Sequence, residues 1–169
     1  MNGIRFASIA SGALLLLSGS ALHARTRSPA RLQMDECNLL TIADASKALE
    51  QSSQPGKHMT EGTPPGCLWS ADPKISDSSR KIGVNAHTLR AFTFAKKPAI
   101  TTIKIEPVSG VGDEAFYQIY PNNASPFIWV RKGSNAISIR IMGTKTNRFG
   151  LEQEKAKELA LAKAAVAKL

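Results

Sequence analysis

The chain is poor in the residues from which most catalytic centres are built. It carries two cysteines and three histidines in 169 residues. No C-x2-C pair, no H-E-x-x-H and no other ligand cluster occurs, which speaks against a zinc or catalytic metal site. There is no G-x-S-x-G nucleophile elbow. Carboxylates are few and scattered, 13 against 22 Lys and Arg, so no acid–base pair stands out. Beyond the first two dozen residues no stretch approaches the roughly 20 apolar residues that a membrane-spanning helix needs. The sequence therefore predicts no enzyme, no cofactor, no metal and no transmembrane segment.

What is present begins at the first residues. Arg5 supplies a basic start, Phe6 to Leu17 an apolar run ending in four leucines, and Ser18-Gly19-Ser20 a helix break. That order is the layout of a cleavable secretory signal. Cleavage fits after Ala21 or Ala24, and Ala24 is the preferred point. The apolar run is too short to remain as an anchor. No cysteine follows it closely, so a lipid anchor is not expected. The reading is a signal peptide over 1–24, a basic leader over 25–35 containing Pro29, and one domain over 36–169 in the periplasm or outside the cell.

Cys37 and Cys67 both fall in that domain. An even cysteine count in an exported chain reads as a disulfide. The bridge closes a loop of about 30 residues, worth roughly 3.5 kcal/mol by chain entropy alone. Loss of Arg5 with the signal lowers the formal net charge of +9 by one. In an exported protein the excess points away from nucleic acid. It points to anionic envelope polymers, lipid headgroups or an acidic envelope protein, or simply to a solvated basic surface.

Hydrophobic periodicity gives an α+β order. Thr41 and Asp44 form a capping pair ahead of a helix with Ile42, Ala45 and Leu49 on one face. Residues 52–66 hold three prolines and three glycines and read as a loop. Cys67 to Ala71 is a strand that the disulfide would staple to the first helix. Lys81 to Leu89 is a strand with Ile82, Val84 and Ala86 on one side and His87 on the other. Residues 90–97 fit either a short helix or a strand. Ile100, Ile103 and Ile105 read as extended, and Glu114 to Tyr120 as a strand. Leu151 to Leu169 is a helix with Leu159, Ala162, Val166 and Leu169 as its apolar stripe. The fold expected is an antiparallel sheet packed by N-terminal and C-terminal helices.

One hairpin is specified residue by residue. Phe127 to Arg131 and Ala136 to Met142 flank Gly133-Ser134, a pair suited to a type II′ turn. That register sets Val130 against Ile137 and Ile128 against Ile139, so the β-branched residues share a face. Trp129 then opposes Ser138, Phe127 opposes Arg140 and Arg131 opposes Ala136 on the other. If the terminal helices cover the aliphatic face, Phe127, Trp129, Arg131 and Arg140 form a candidate binding face, aromatics beside arginine being enriched where proteins bind. The alternative is that another element buries Trp129 in a second core layer.

Two motifs invite chemistry that their context does not support. Gly110-Val111-Gly112-Asp113-Glu114-Ala115 matches G-x-G-x-x-A by letter, but a strand follows it instead of a helix, and two carboxylates would repel a phosphate. His58 lies in a polar loop and His87 on a strand, with no motif setting either against a nucleophile. Asn123-Ala124-Ser125 is a formal glycosylation triplet, meaningful only in a eukaryotic secretory route.

Taken together, Cys37-Asn38-Leu39-Leu40-Thr41, Gly66-Cys67-Leu68-Trp69, Val108 to Ala115 and the hairpin followed by a Leu-Ala-Lys helix resemble small exported bacterial proteins of unknown function, many of them lipoproteins. The arrangement is also similar to the PsbP-like fold. The resemblance implies an antiparallel sheet with helices at both ends of the chain and no catalytic residues. The chain lacks the acylated cysteine of the lipoproteins. The function expected is a non-catalytic binding or accessory protein of the periplasm or exterior, its partner an envelope protein or an anionic envelope polymer. The alternative is an inhibitor or immunity-type protein acting on a cell-wall hydrolase.

Overall fold

The structure is a computed structural model that describes residues 34–59, 65–76, 78–121, 123–144, 146 and 148–169. The expected signal peptide, and all of the leader except Met34 and Asp35, lie outside the described residues. Asp35 precedes the first element. Its carboxylate accepts the Cys37 N–H at 3.0 Å and caps a 3-10 turn, Glu36–Asn38. Helix α1, Ile42–Leu49, starts on the expected capping box: Thr41 Oγ1 accepts the Asp44 N–H at 3.1 Å, and Asp44 Oδ2 accepts the Thr41 N–H at 2.9 Å. The two bonds satisfy donors that a helix start otherwise leaves open.

Among the described residues seven strands follow: β1 Lys57–His58, β2 Gly66–Ser70, β3 Lys81–His87, β4 Lys104–Val108, β5 Glu114–Tyr120, β6 Asn123–Lys132 and β7 Asn135–Met142. Helix α2, Leu89–Lys96, lies between β3 and β4, and helix α3, Leu151–Val166, closes the chain. The strands form one antiparallel sheet in the order β1-β2-β3-β7-β6-β5-β4. The α+β architecture with a helix at each end of the described chain is as expected. Three local expectations are corrected. The proline-rich loop contains the short strand β1, paired to β2. The Ile100–Ile103 stretch is a bent loop, and the extended run starts only at Lys104. The strand expected over Lys81–Leu89 ends at His87, and Leu89 instead opens a helix that runs to Lys96 through the stretch 90–97, which the sequence left undecided.

The hairpin register holds where the ladder exists. Ile128 pairs Ile139, Trp129 pairs Ser138, Val130 pairs Ile137 and Arg131 pairs Ala136. Gly133 has a φ of 57° and Ser134 does not enter the positive region, the signature of a type II′ turn. The ladder stops at Ile128–Ile139. Two residues further the same register would set Pro126 opposite Ile141, and a prolyl nitrogen has no hydrogen to donate. The expected Phe127–Arg140 pair therefore survives as a side-chain stack beyond the ladder's end.

Both sheet faces are covered. One carries the main core, in which Ile82, Val84, Ile128, Val130, Ile137, Ile139 and Ile141 meet α1, α3 and the 3-10 turn. The other carries a smaller core, in which Phe92 and Ala95 of α2 pack on Phe116, Trp129 and Ala136. Fully burying one such aliphatic side chain contributes about 1.5–3 kcal/mol, so the larger cluster dominates stability. The disulfide joins Cys37 to Cys67 with the Cα atoms 5.1 Å apart. It ties β2 to the 3-10 turn rather than to α1 itself, because Cys37 lies in that turn.

Candidate functional site

The four residues of the candidate face separate once α2 is in place. Trp129 is 9 % exposed, so the face is closed at its centre. Its ring stacks on Phe116 with centroids 6.2 Å apart, and Phe92 of α2 meets it edge-on at 6.5 Å. Its indole N–H donates to Gln118 Oε1 at 3.2 Å, and Gln118 in turn donates to the Ala95 carbonyl at 3.3 Å. Of the two readings left open for Trp129, the second core layer is the one found: a large ring with one donor is buried where helix and strand supply both contact and acceptor.

Arg131 sits at the turn end of the hairpin. Its Nη1 lies 3.4 Å from Asp113 Oδ2 and its Nε 3.6 Å from Glu114 Oε2. Glu114 also pairs with Lys96, and these bonds hold its carboxyl below the usual glutamate value, the Lys96 hydrogen bond most of all. The glycine motif has a structural use here. Asp113 Oδ2 accepts the Gly133 N–H at 2.7 Å, and the Asp113 N–H donates to the Arg131 carbonyl at 2.8 Å. Gly112 has a φ of 61°, and a Cβ there would stand 2.4 Å from the Arg131 carbonyl oxygen. The motif clasps the hairpin tip, with its acidic residues serving the hairpin rather than a phosphate.

Phe127 and Arg140 remain together at the opposite end. The Arg140 guanidinium lies 4.3 Å above the Phe127 ring, and Phe127 meets Tyr120 edge-on at 5.9 Å. The row forms one wall of a pocket of about 360 Å³ completed by Ile100, Thr102, Ile103 and Pro121. A mostly apolar concavity of this size with one convergent charge is the usual form of a small-ligand site. Burial disfavours the charged form of Arg140 and is the largest influence on it, opposed by Glu158 and Glu154.

The histidines occupy different settings. His58 is exposed on β1, 3.4 Å from Asp35 Oδ1. The Cys37 sulfur lies beside both, but its disulfide leaves no thiolate to bind a metal. His87 Nε2 is 2.8 Å from Ser138 Oγ, and its ring lies 4.2 Å from Trp129. A histidine on a serine hydroxyl is half of a nucleophile–base pair. Here Ser138 is 4 % exposed beneath the α2 layer, so a substrate carbonyl has no approach to its oxygen. Burial pushes the His87 pKa down to about 4. The contact satisfies a buried hydroxyl.

Sequence reasoning missed one charged cluster. Glu154 and Glu158, one turn apart on α3, are fully buried. Glu158 Oε1 accepts the Ile141 N–H at 2.9 Å, while Glu158 Oε2 has no hydrogen-bond partner; the Ser125 hydroxyl and the Phe149 N–H lie against the Glu154 carboxylate. Arg148 Nε stands 4.0 Å from Glu154 Oε1. Burial raises both carboxyls, Glu158 well above its ordinary value. The deepest positions of α3 are Glu154, Glu158, Leu161, Ala162 and Ala165, whereas Leu159, Val166 and Leu169 of the expected stripe lie on its flank.

The chain matches no family model, no curated protein and no solved structure. Among the described residues no helix is long and apolar enough to cross a membrane.

Proposed function

We propose that this chain is an exported, non-catalytic binding or accessory protein that meets an anionic envelope polymer through the outer side of α2 and the loop after it. The observation that carries the reading is an apolar surface set among cations. Phe94 is 69 % exposed, Ile100 60 % and Leu89 42 %. Between Thr88 and Ile105 the sequence has four Lys or Arg and no carboxylate. Large exposed apolar side chains in one region are unusual unless something covers them. Arg90 and Lys97 are exposed on the same stretch, where they would draw an anionic polymer. The signal-like start, the disulfide and the likeness to small exported proteins support the compartment.

The test is retention of periplasmic and cell-wall material on the immobilised mature protein at low and high salt, beside a Phe94→Ser/Ile100→Ser double variant. Binding of anionic polymer that weakens with salt, as screened charges require, and that the double variant loses would support the reading. One protein partner held at high salt would replace it with the inhibitor or immunity-type role. No retention, or equal retention by the variant, would overturn it.

A further inference from the structure

The pocket beside Arg140 shares Ile100 with that surface but not Phe94, and it carries an inference of its own. Its walls are Ile100, Ile103, Pro121 and Phe127, and its neutral polar groups are the hydroxyls of Thr102 and Tyr120. Among the described residues its only charged lining residue is Arg140. The Arg140 guanidinium lies over the Phe127 ring, 4.3 Å from its centroid. Its Nε is buried without a hydrogen-bond partner. Among the described residues no carboxylate forms an ion pair with it, although the buried Glu154 and Glu158 lie within electrostatic reach. A half-buried cation without a partner is costly, and pairing offsets that cost. The planar, pre-oriented fork of an arginine matches the two oxygens of a carboxylate. One cation in an apolar pocket suits one negative charge on an apolar body; a phosphate dianion would bring more charge than the pocket can answer.

We propose that this pocket binds a small amphipathic monocarboxylate, its head on Arg140 and its hydrocarbon or aromatic tail against Ile100, Ile103 and Phe127. The occupant is a free small molecule of the exported compartment. Thr102 and Tyr120 donate to the head group from the rim, and the Phe127 ring packs against the guanidinium so that little side-chain freedom is lost on binding.

The experiment is a titration of the oxidised mature protein with octanoate, followed by amide chemical shifts. Saturable changes are expected at residues 100–103, 120, 127 and 140. Octanamide, the neutral isostere, should bind at least about tenfold more weakly, the loss of a charge-assisted pair. Arg140→Gln should weaken octanoate by a similar factor. Ile100→Asp, a change at an exposed position, should do the same by placing a carboxylate at the rim, and it keeps the test valid if Arg140→Gln fails to fold. The Phe94→Ser variant should bind octanoate as the parent does, so failure here and failure of the α2 surface are separate results. Equal affinity for octanoate and octanamide, or shifts that are absent or scattered over the surface, would overturn the proposal.

Discussion

The buried carboxylate of Glu158 on α3 accepts the backbone N–H of Ile141 on β7 at 2.9 Å. The bond sits just beyond the point where the hairpin ladder stops. The hairpin ladder ends at Ile128–Ile139, and its continuation would meet Pro126. The strands part there, Ile141 is left with a donor to satisfy, and α3 supplies the acceptor. A buried N–H without a partner costs about 1–3 kcal/mol. Glu158 removes that cost and incurs another, because its second oxygen is buried unpaired.

The charge state decides which effect dominates. Burial raises the folded pKa of Glu158 above 4.5, the nearby Glu154 adds to the shift, and the Ile141 bond opposes it. The folded chain holds its proton while the unfolded chain releases it, so stability is lost as pH rises from the ordinary carboxylate value toward the folded one. Glu158→Gln keeps an oxygen for Ile141 and cannot ionise. It should raise the urea midpoint near neutral pH and flatten the pH dependence. Glu158→Ala, measured near pH 4 where the parent carboxyl is protonated, should cost about 1–3 kcal/mol for the orphaned N–H. A Gln variant less stable than the parent at neutral pH would show that the ionised carboxylate is favourable.

Trp129 provides a test of the second core layer. With Phe92, Phe116 and Gln118 around it, Trp129→Ala should destabilise by about 3–5 kcal/mol, the range for large core aromatics. In a Trp69→Phe background, where Trp129 is the remaining indole, emission should be blue-shifted and resistant to iodide. A red-shifted, quenchable signal with little loss of stability would return Trp129 to the surface and reopen the face read from the hairpin pattern.

These features differ in how visible they are in the sequence. The hairpin register could be read because alternation of β-branched residues on one side leaves one pairing that sorts them, and Gly133-Ser134 fixes the turn. The α1 start was legible because a capping box is local. Helix α2 was not, because Phe92-Thr93-Phe94 alternates like a strand while Thr88, Phe92, Ala95 and Pro98 fit a capped and terminated helix. Contacts of Phe92 with Phe116 and Trp129, remote in sequence, decide between them. Tertiary context of this kind routinely overrides local pattern. That decision chose between the open face and the second core layer, since the element that could not be placed is the one covering Trp129. Glu154 and Glu158 were invisible for another reason. Periodicity assigns a glutamate to solvent, and only the end of the β6–β7 ladder, remote from α3 in sequence, leaves the Ile141 N–H for α3 to meet. Phe127 and Arg140 were found in sequence as a pair, but their pocket depends on the 98–103 loop, which read as extended.

His87 gives the opposite pH response to Glu158, and the two overlap. Its folded pKa is lowered from 6.5 to about 4 by burial. Above the unfolded value both states are neutral and the full stability is present. As pH falls below about 6.5 the unfolded chain takes up a proton that the folded chain resists, so stability is lost down to about pH 4. The ceiling implied by the shift is about 3 kcal/mol, and partial access of solvent to the ring makes the real loss smaller. Over the part of the same window above about pH 4.5 Glu158 works the other way, because the folded chain holds a proton that the unfolded chain lacks and stability rises as pH falls. The parent protein should therefore show a shallow dependence that hides two steeper ones. His87→Gln, which retains a polar partner for Ser138, should remove the acid-side loss, so its urea midpoint rises relative to the parent between about pH 6.5 and 4.5. Glu158→Gln should expose that loss, steepening the fall toward acid. In the Trp69→Phe background the ring contact adds a spectroscopic check. Protonation of His87 against the Trp129 face should quench its emission with a midpoint near pH 4, and His87→Gln should abolish that step. A quench centred near pH 6.5, or a His87→Gln variant that follows the parent throughout, would show that His87 is not held neutral by its place in the second core.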